Sequence, residues 1–176
     1  VLCASYTDEA VEKHSAFNRM QAWGYGVSVP TAVALDYSQV KDFEVYPVLV
    51  TGDSAWIEHE TKDMVDGEFV CNPAAGEEEG NYAVLINLSR KIGDKEQRII
   101  ISGDSDFITN EEFGLTRPGM EVNNFEVITG SFRWLSYDAY PIYTDRIGAI
   151  DNGINLSGGW RVWIKLFFMI LFPAFL

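Results

Sequence analysis

Apolar residues fall into separate blocks along the chain, and their spacing changes from block to block. Val11, Phe17, Met20 and Trp23 form a rough helical face behind Thr7-Asp8-Glu9, a hydroxyl followed by acids. That pattern predicts a helix capped at Thr7 and ended by Gly24 and Gly26. Val27 to Leu35 reads as a strand whose Pro30 places it at an edge or bulge, and Phe43 to Thr51 as a second strand, again with a proline. Residues 58–81 are charged and rich in turn formers, including Gly76-Glu-Glu-Glu-Gly80, and read as a solvated excursion. Tyr82 to Ser89 fits a strand or a helix, with strand favoured, and Lys91 to Gln97 reads as a polar hairpin-like connection.

Arg98-Ile-Ile-Ile-Ser102 is a continuous β-branched run, the pattern of a strand buried on both faces of a parallel sheet. Asn123 and Asn124 cap a helix reaching about Ser136, with Phe125, Ile128, Phe132 and Leu135 at helical spacing and Trp134 on a core-facing stripe. Residues 137–155 connect, and Ser157-Gly158-Gly159 forms a joint. From Trp160 the chain turns apolar, and every residue after Lys165 is apolar through Leu176. That run covers about half of a ~30 Å hydrocarbon core, yet it shows no polar face. With Trp160 and Trp163 at an interface, it is expected to begin a transmembrane helix.

Composition narrows the reading. A net charge of -13 disfavours nucleic acid, which needs stripes of Lys and Arg. Cys3 and Cys71 stand far apart without a C-x-x-C pair, and two buried free thiols are expected, although an oxidising compartment allows a disulfide. No charged-then-apolar leader opens the sequence, so the protein is expected to be either cytoplasmic or the end of a longer chain, and the apolar C-terminal run favours the second.

The strand at 98–102 runs into Gly103-Asp104-Ser105-Asp106-Phe107, and polar residues past the carboxyl end of a buried strand occupy the usual position of sites in open α/β sheets. Asp104, Ser105, Asp106, Asn110 and Asn124 are therefore the candidate ligand-binding residues. A structural role competes: a carboxylate there can accept N–H bonds from the next helix, which favours Asp106 as a cap. Chemistry is sparse elsewhere. Cys71-Asn-Pro is no nucleophile elbow, no G-x-S-x-G surrounds Ser105, and His14 and His59 lie in polar segments expected at the surface. No catalytic residue, resident metal or cofactor is expected.

The ordered series Arg98-Ile-Ile-Ile-Ser-Gly-Asp-Ser-Asp-Phe-Ile-Thr-Asn110, Asn123-Asn124-Phe125 and Trp134-Leu135 resembles the auxiliary, permease-linked domain of gliding-motility-type ABC transporters. Phe43 to Thr51 with Ser54 and Trp56 also resembles that family's strand and serine-tryptophan step. The resemblance implies an α/β fold: an open, mostly parallel sheet flanked by helices, amidotransferase-like and flavodoxin-like, followed by a C-terminal transmembrane helix. The implied division is residues 1–156 as the end of an extracytoplasmic domain and 157–176 as the start of the helix. The implied function is a non-catalytic interaction module in the cell inner membrane, its soluble part on the periplasmic side. Its partners would be the membrane and other transporter subunits, an ATPase among them. The alternatives are a metal-dependent hydrolase, or a small-ligand-binding domain, built on Asp104 and Asp106 with Asn110 adding an oxygen.

Overall fold

A computed structural model describes residues 2–59, 70–115, 118–140, 158–171 and 173. The chain divides into two compact units, Val1–Ile142 and Tyr143–Leu176. The connecting segment expected at 137–155 falls largely outside the described residues, as do Ser157 of the expected joint, residues 60–69 of the expected excursion and most of the last five residues of the apolar run.

The first unit holds a five-stranded sheet in the order β2-β1-β3-β4-β5, formed by β1 (Leu2–Tyr6), β2 (Val27–Val29), β3 (Glu44–Thr51), β4 (Ala83–Ile92) and β5 (Lys95–Ser102). Every neighbouring pair is antiparallel. This overturns the parallel sheet expected from the β-branched run. Arg98–Ser102 is not a central strand but part of the outermost one, joined to β4 by a two-residue Gly93-Asp94 hairpin between the partners Ile92 and Lys95. Gly93 takes φ +62°, as such tight hairpins require at their first central position. A β-branched run satisfies an edge strand as well as a buried one, because each side chain needs only a half-covered face.

Helices lie on one face. Thr7 caps α1 (Asp8–Lys13): its hydroxyl accepts from Ala10 N at 3.1 Å and donates to Pro47 O at 2.6 Å, which fixes the helix start to β3. The expected single helix breaks after Lys13 and resumes as α2 (Asn18–Trp23). The short α3 (Asn110–Gly114) precedes α4 (Asn124–Leu135), whose Val127, Gly130 and Trp134 are buried. They join Phe17, Tyr6, Tyr46, Val48, Leu49 and Leu85 in the main core. On the opposite face Ile86, Leu88 and Ile99 pack with Leu35, Tyr37 and Phe43 in a smaller cluster. Trp134, expected to face the core, is 4% exposed and Ile128 packs against the core, whereas Phe125, Phe132 and Leu135 of the same helical spacing are 63%, 58% and 40% exposed. The helix carries apolar residues around much of its circumference, and Gly130 decides which side docks. A β-carbon there would stand 3.0 Å from the Phe17 ring, so only the Gly130 side lets helix and ring close.

In the second unit α5 (Gly158–Leu166) continues as a π-helical turn, Phe167–Leu171. Among the described residues no helix is long and apolar enough to cross a membrane. The expected transmembrane helix is thereby corrected, and with it the membrane anchor, the inner-membrane localisation and the partnership with transporter subunits and their ATPase.

Trp134→Ala is expected to lower unfolding stability by about 3–5 kcal/mol. Phe132→Ala should cost under about 1 kcal/mol. Urea titration of both variants checks which stripe of α4 faces the core.

Candidate functional site

Gly103 begins the strand-end motif at a place where two backbones touch. Val33 N donates to Gly103 O at 2.8 Å, and a β-carbon on Gly103 would fall 1.9 Å from Val33 O. Only glycine fits. Asp104, buried, then holds the crossing segment from the other side: its Oδ2 accepts from Thr31 N at 3.2 Å and its Oδ1 from Asp106 N at 2.6 Å. Asp106 Oδ2 accepts from the Thr31 hydroxyl at 3.2 Å, and the Ser102 hydroxyl donates to Asp104 O at 2.7 Å. The capping role assigned to Asp106 is thus filled by Asp104. The G-D-S-D series is a latch that ties residues 31–33 to the end of β5.

The other expected site residues separate into different places. Ser105 and Asn110 are exposed, Ser105 at the start of a 3₁₀ turn (Asp106–Ile108) and Asn110 at the start of α3. Asn124 is buried at the sheet's far edge, where its amide lies against β2 like one more peptide group. Its Oδ1 accepts from Ser28 N at 2.9 Å, and its Nδ2 donates to Ser28 O at 2.8 Å and Phe107 O at 3.0 Å. Gly26 completes the closure, donating to Glu121 O at 2.9 Å and accepting from Asn123 N at 3.0 Å. The Ser28 hydroxyl donates to buried Glu112 at 2.5 Å. Sequence reading missed Glu112 and Ser28. The T-x-x-E spacing of Thr109 and Glu112 marks the helix start, and Thr109 does accept from Glu112 N at 3.3 Å, but nothing local announces that the Glu112 carboxylate turns to β2 instead. Among the described residues no group of three His, Cys, Asp or Glu side chains can hold a metal ion. The metal-dependent hydrolase is corrected on that ground; of the strand-end acids, Asp104 is buried with both oxygens on backbone N–H groups, and Asp106 is exposed.

The acidic excursion also has an anchor. Glu77 is buried, and its carboxylate accepts from His59 N at 3.0 Å and Asn72 N at 2.7 Å. Those backbone donors hold it below its ordinary value of 4.5. Both cysteines are half-buried free thiols rather than fully buried ones. Burial pushes both thiols up, and Glu79, Glu77 and Glu58 push Cys71 further, so neither environment favours the nucleophilic thiolate. His14 is half-buried rather than on the surface. It lies 3.3 Å from Asp138, and burial lowers its pKa against the pull of that carboxylate. His59 is exposed, as expected.

The remaining feature is an edge. Gly103 N donates to Val84 O at 2.9 Å, which fixes the alternation along β5: Ile101, Ile99, Gln97 and Lys95 turn their peptide groups toward β4. Glu96, Arg98, Ile100 and Ser102 turn theirs outward. Glu96 O accepts from the Tyr137 hydroxyl at 2.7 Å, but the outward peptide groups of Arg98, Ile100 and Ser102 have no partner among the described residues.

Gly103→Ala is expected to cost about 1–3 kcal/mol through the Val33 clash. Asn124→Ala should cost about as much for each Ser28 group left unsatisfied. Chemical denaturation reads both. A carboxylate depressed in the folded state contributes stability that is present above its unfolded value and lost as pH falls through the folded one. The Asn72 amide should therefore lose its exchange protection on acidification below about 4.5 in the native protein. In Glu77→Gln that dependence should be absent, as NMR exchange across an acid titration would show.

Compared with known family models, curated proteins and solved structures, the chain matches none, and nothing in those comparisons supports the transporter or amidotransferase resemblance.

Proposed function

We propose that this chain is a non-catalytic protein-binding domain that takes up an extended segment along β5. One observation carries the reading: the two edges of the sheet are treated differently. At β2 the outward groups of Gly26 and Ser28 are satisfied by Glu121, Asn123 and the Asn124 amide. At β5 the corresponding groups of Arg98, Ile100 and Ser102 stay open among the described residues. An open row of alternating donors and acceptors is a template for another strand, and strand addition is a recurrent mode of peptide recognition. The side chains agree, since Ile99 and Ile100 are half-buried and Ile101 is 42% exposed, leaving apolar surface on both faces of the edge. The thiols displaced from reactivity and the histidine held by Asp138 support the non-catalytic part of the proposal.

In the free protein the amides of Ile100 and Ser102 should exchange rapidly while those of Ile99 and Ile101 are protected. A short β-branched synthetic peptide should slow the first pair. Ile100→Pro removes an outward donor and leaves the β4 ladder intact, so it should abolish peptide binding in a folded protein. Ile100→Ala, the packing control, should still bind, and Ile99→Pro should unfold the hairpin. Unchanged exchange at Ile100 and Ser102 in the presence of every peptide tried would rule strand addition out.

A further inference from the structure

The edge is not uniform, and its two halves describe what would lie on it. Four of the chain's 13 Lys and Arg residues fall between Arg90 and Arg98, against Asp94 and Glu96, so the hairpin is net positive in a chain of charge -13. Lys91 and Lys95 are exposed and have no ion pair among the described residues. Arg90 stands over the Phe43 ring at 4.5 Å and donates to Gln97 at 2.7 Å. Arg98 is largely covered, stacked at 3.8 Å over Tyr137 and paired with Glu96 at 2.8 Å, so the free positive charge sits toward the hairpin tip. The other half, Ile99 to Ile101, is apolar and is extended by Val33, 65% exposed beside Gly103. Beyond it stand Asp104 and exposed Asp106.

Resting on the strand-addition reading, we infer that the segment accepted by β5 is bipartite: a β-branched apolar run followed by an acidic run, lying antiparallel to β5. The apolar run covers Ile99, Ile100 and Ile101, and the acidic run reaches Lys95 on the edge and the charge of Lys91 one strand behind it on β4. The carboxylates Asp104 and Asp106 repel an acidic run placed at the opposite end, so charge fixes register as well as affinity. Antiparallel pairing is the more stable ladder per residue and sets the order of the runs, apolar first.

Three synthetic peptides test this against the intact protein: apolar-then-acidic, the same residues in reversed order, and apolar-then-basic. Each is read by affinity and by amide exchange at Ile100 and Ser102. The first should bind about tenfold more tightly than the third at low salt, and the gap should close as salt rises. The double variant Lys91→Glu with Lys95→Glu, both exposed positions, should invert that preference. Equal affinity for acidic and basic peptides, with both slowing the two amides, would overturn the acidic partner while leaving strand addition intact. Tighter binding of the reversed peptide would overturn the antiparallel register. Binding with no slowing at Ile100 and Ser102 would overturn the inference together with the reading beneath it.

Discussion

A sheet ends in two rows of peptide groups, and what each row meets decides how the rest of the molecule can be arranged. At β2 the row is short and lies against the helical layer, where water is excluded and an unsatisfied group costs about 1–3 kcal/mol. The protein answers with Asn124. Its side-chain amide carries the same donor and acceptor as a peptide unit, and it bonds both Ser28 N and Ser28 O. Because Asn124 is also the first residue of α4, closing the edge fixes where that helix begins. Asn123 caps the helix by accepting from Glu126 N and at the same time donates its own N–H to Gly26 O. Edge closure and helix capping are one arrangement. From that fixed start, Val127, Gly130 and Trp134 reach the core, and Trp134 O accepts from Arg98 of β5, the strand at the opposite edge of the sheet.

The strand-end motif shows how pairing direction changes what the same acids meet. Acids after a strand in a parallel sheet face an open crevice. Here the sheet is antiparallel, and the space past β5 is crossed by residues 31–33, so the same carboxylates face the backbone of their own chain. Asp104 has two acceptor oxygens and uses both, one on Thr31 N and one on Asp106 N. Among the described residues no group of three His, Cys, Asp or Glu side chains stands there to hold a cation.

Local signals were legible and long-range ones were not. The Thr7 cap, the strands around Glu44–Thr51 and Ala83–Ile92, the hairpin nature of residues 91–97 and the cap at Asn123 all follow from neighbours within a few residues. The strand Leu2–Tyr6 went unrecognised because its five residues mix small and polar side chains without a marked alternation, yet it lies between β2 and β3. Parallel versus antiparallel pairing cannot be read from Arg98–Ser102 alone, since three isoleucines suit an edge and a centre equally. The Gly93-Asp94 turn was the better signal, because two residues permit only an antiparallel return. On α4 spacing was only partly informative: Trp134 and Ile128 meet the core, whereas Phe125, Phe132 and Leu135 do not. Two apolar stripes compete, and the choice between them depends on a glycine whose partner, Phe17, is more than a hundred residues away in sequence.

Magnitudes explain why side chains, rather than the backbone row, must decide what β5 accepts. The open groups of Arg98, Ile100 and Ser102 offer N–H and C=O positions to an added strand, each hydrogen bond worth about 0.5–1.5 kcal/mol net. Their sum is about 3–9 kcal/mol before the cost of ordering a flexible segment, which a micromolar complex at about -8 kcal/mol would exhaust or exceed. Any extended chain could supply those bonds, so they carry no preference. The isoleucines add burial at roughly 25 cal/mol per Å², and the lysines add a charge term that is weak for each exposed pair but has a sign. Sign and polarity are the only terms that distinguish one strand from another, and β5 has both, arranged at opposite ends.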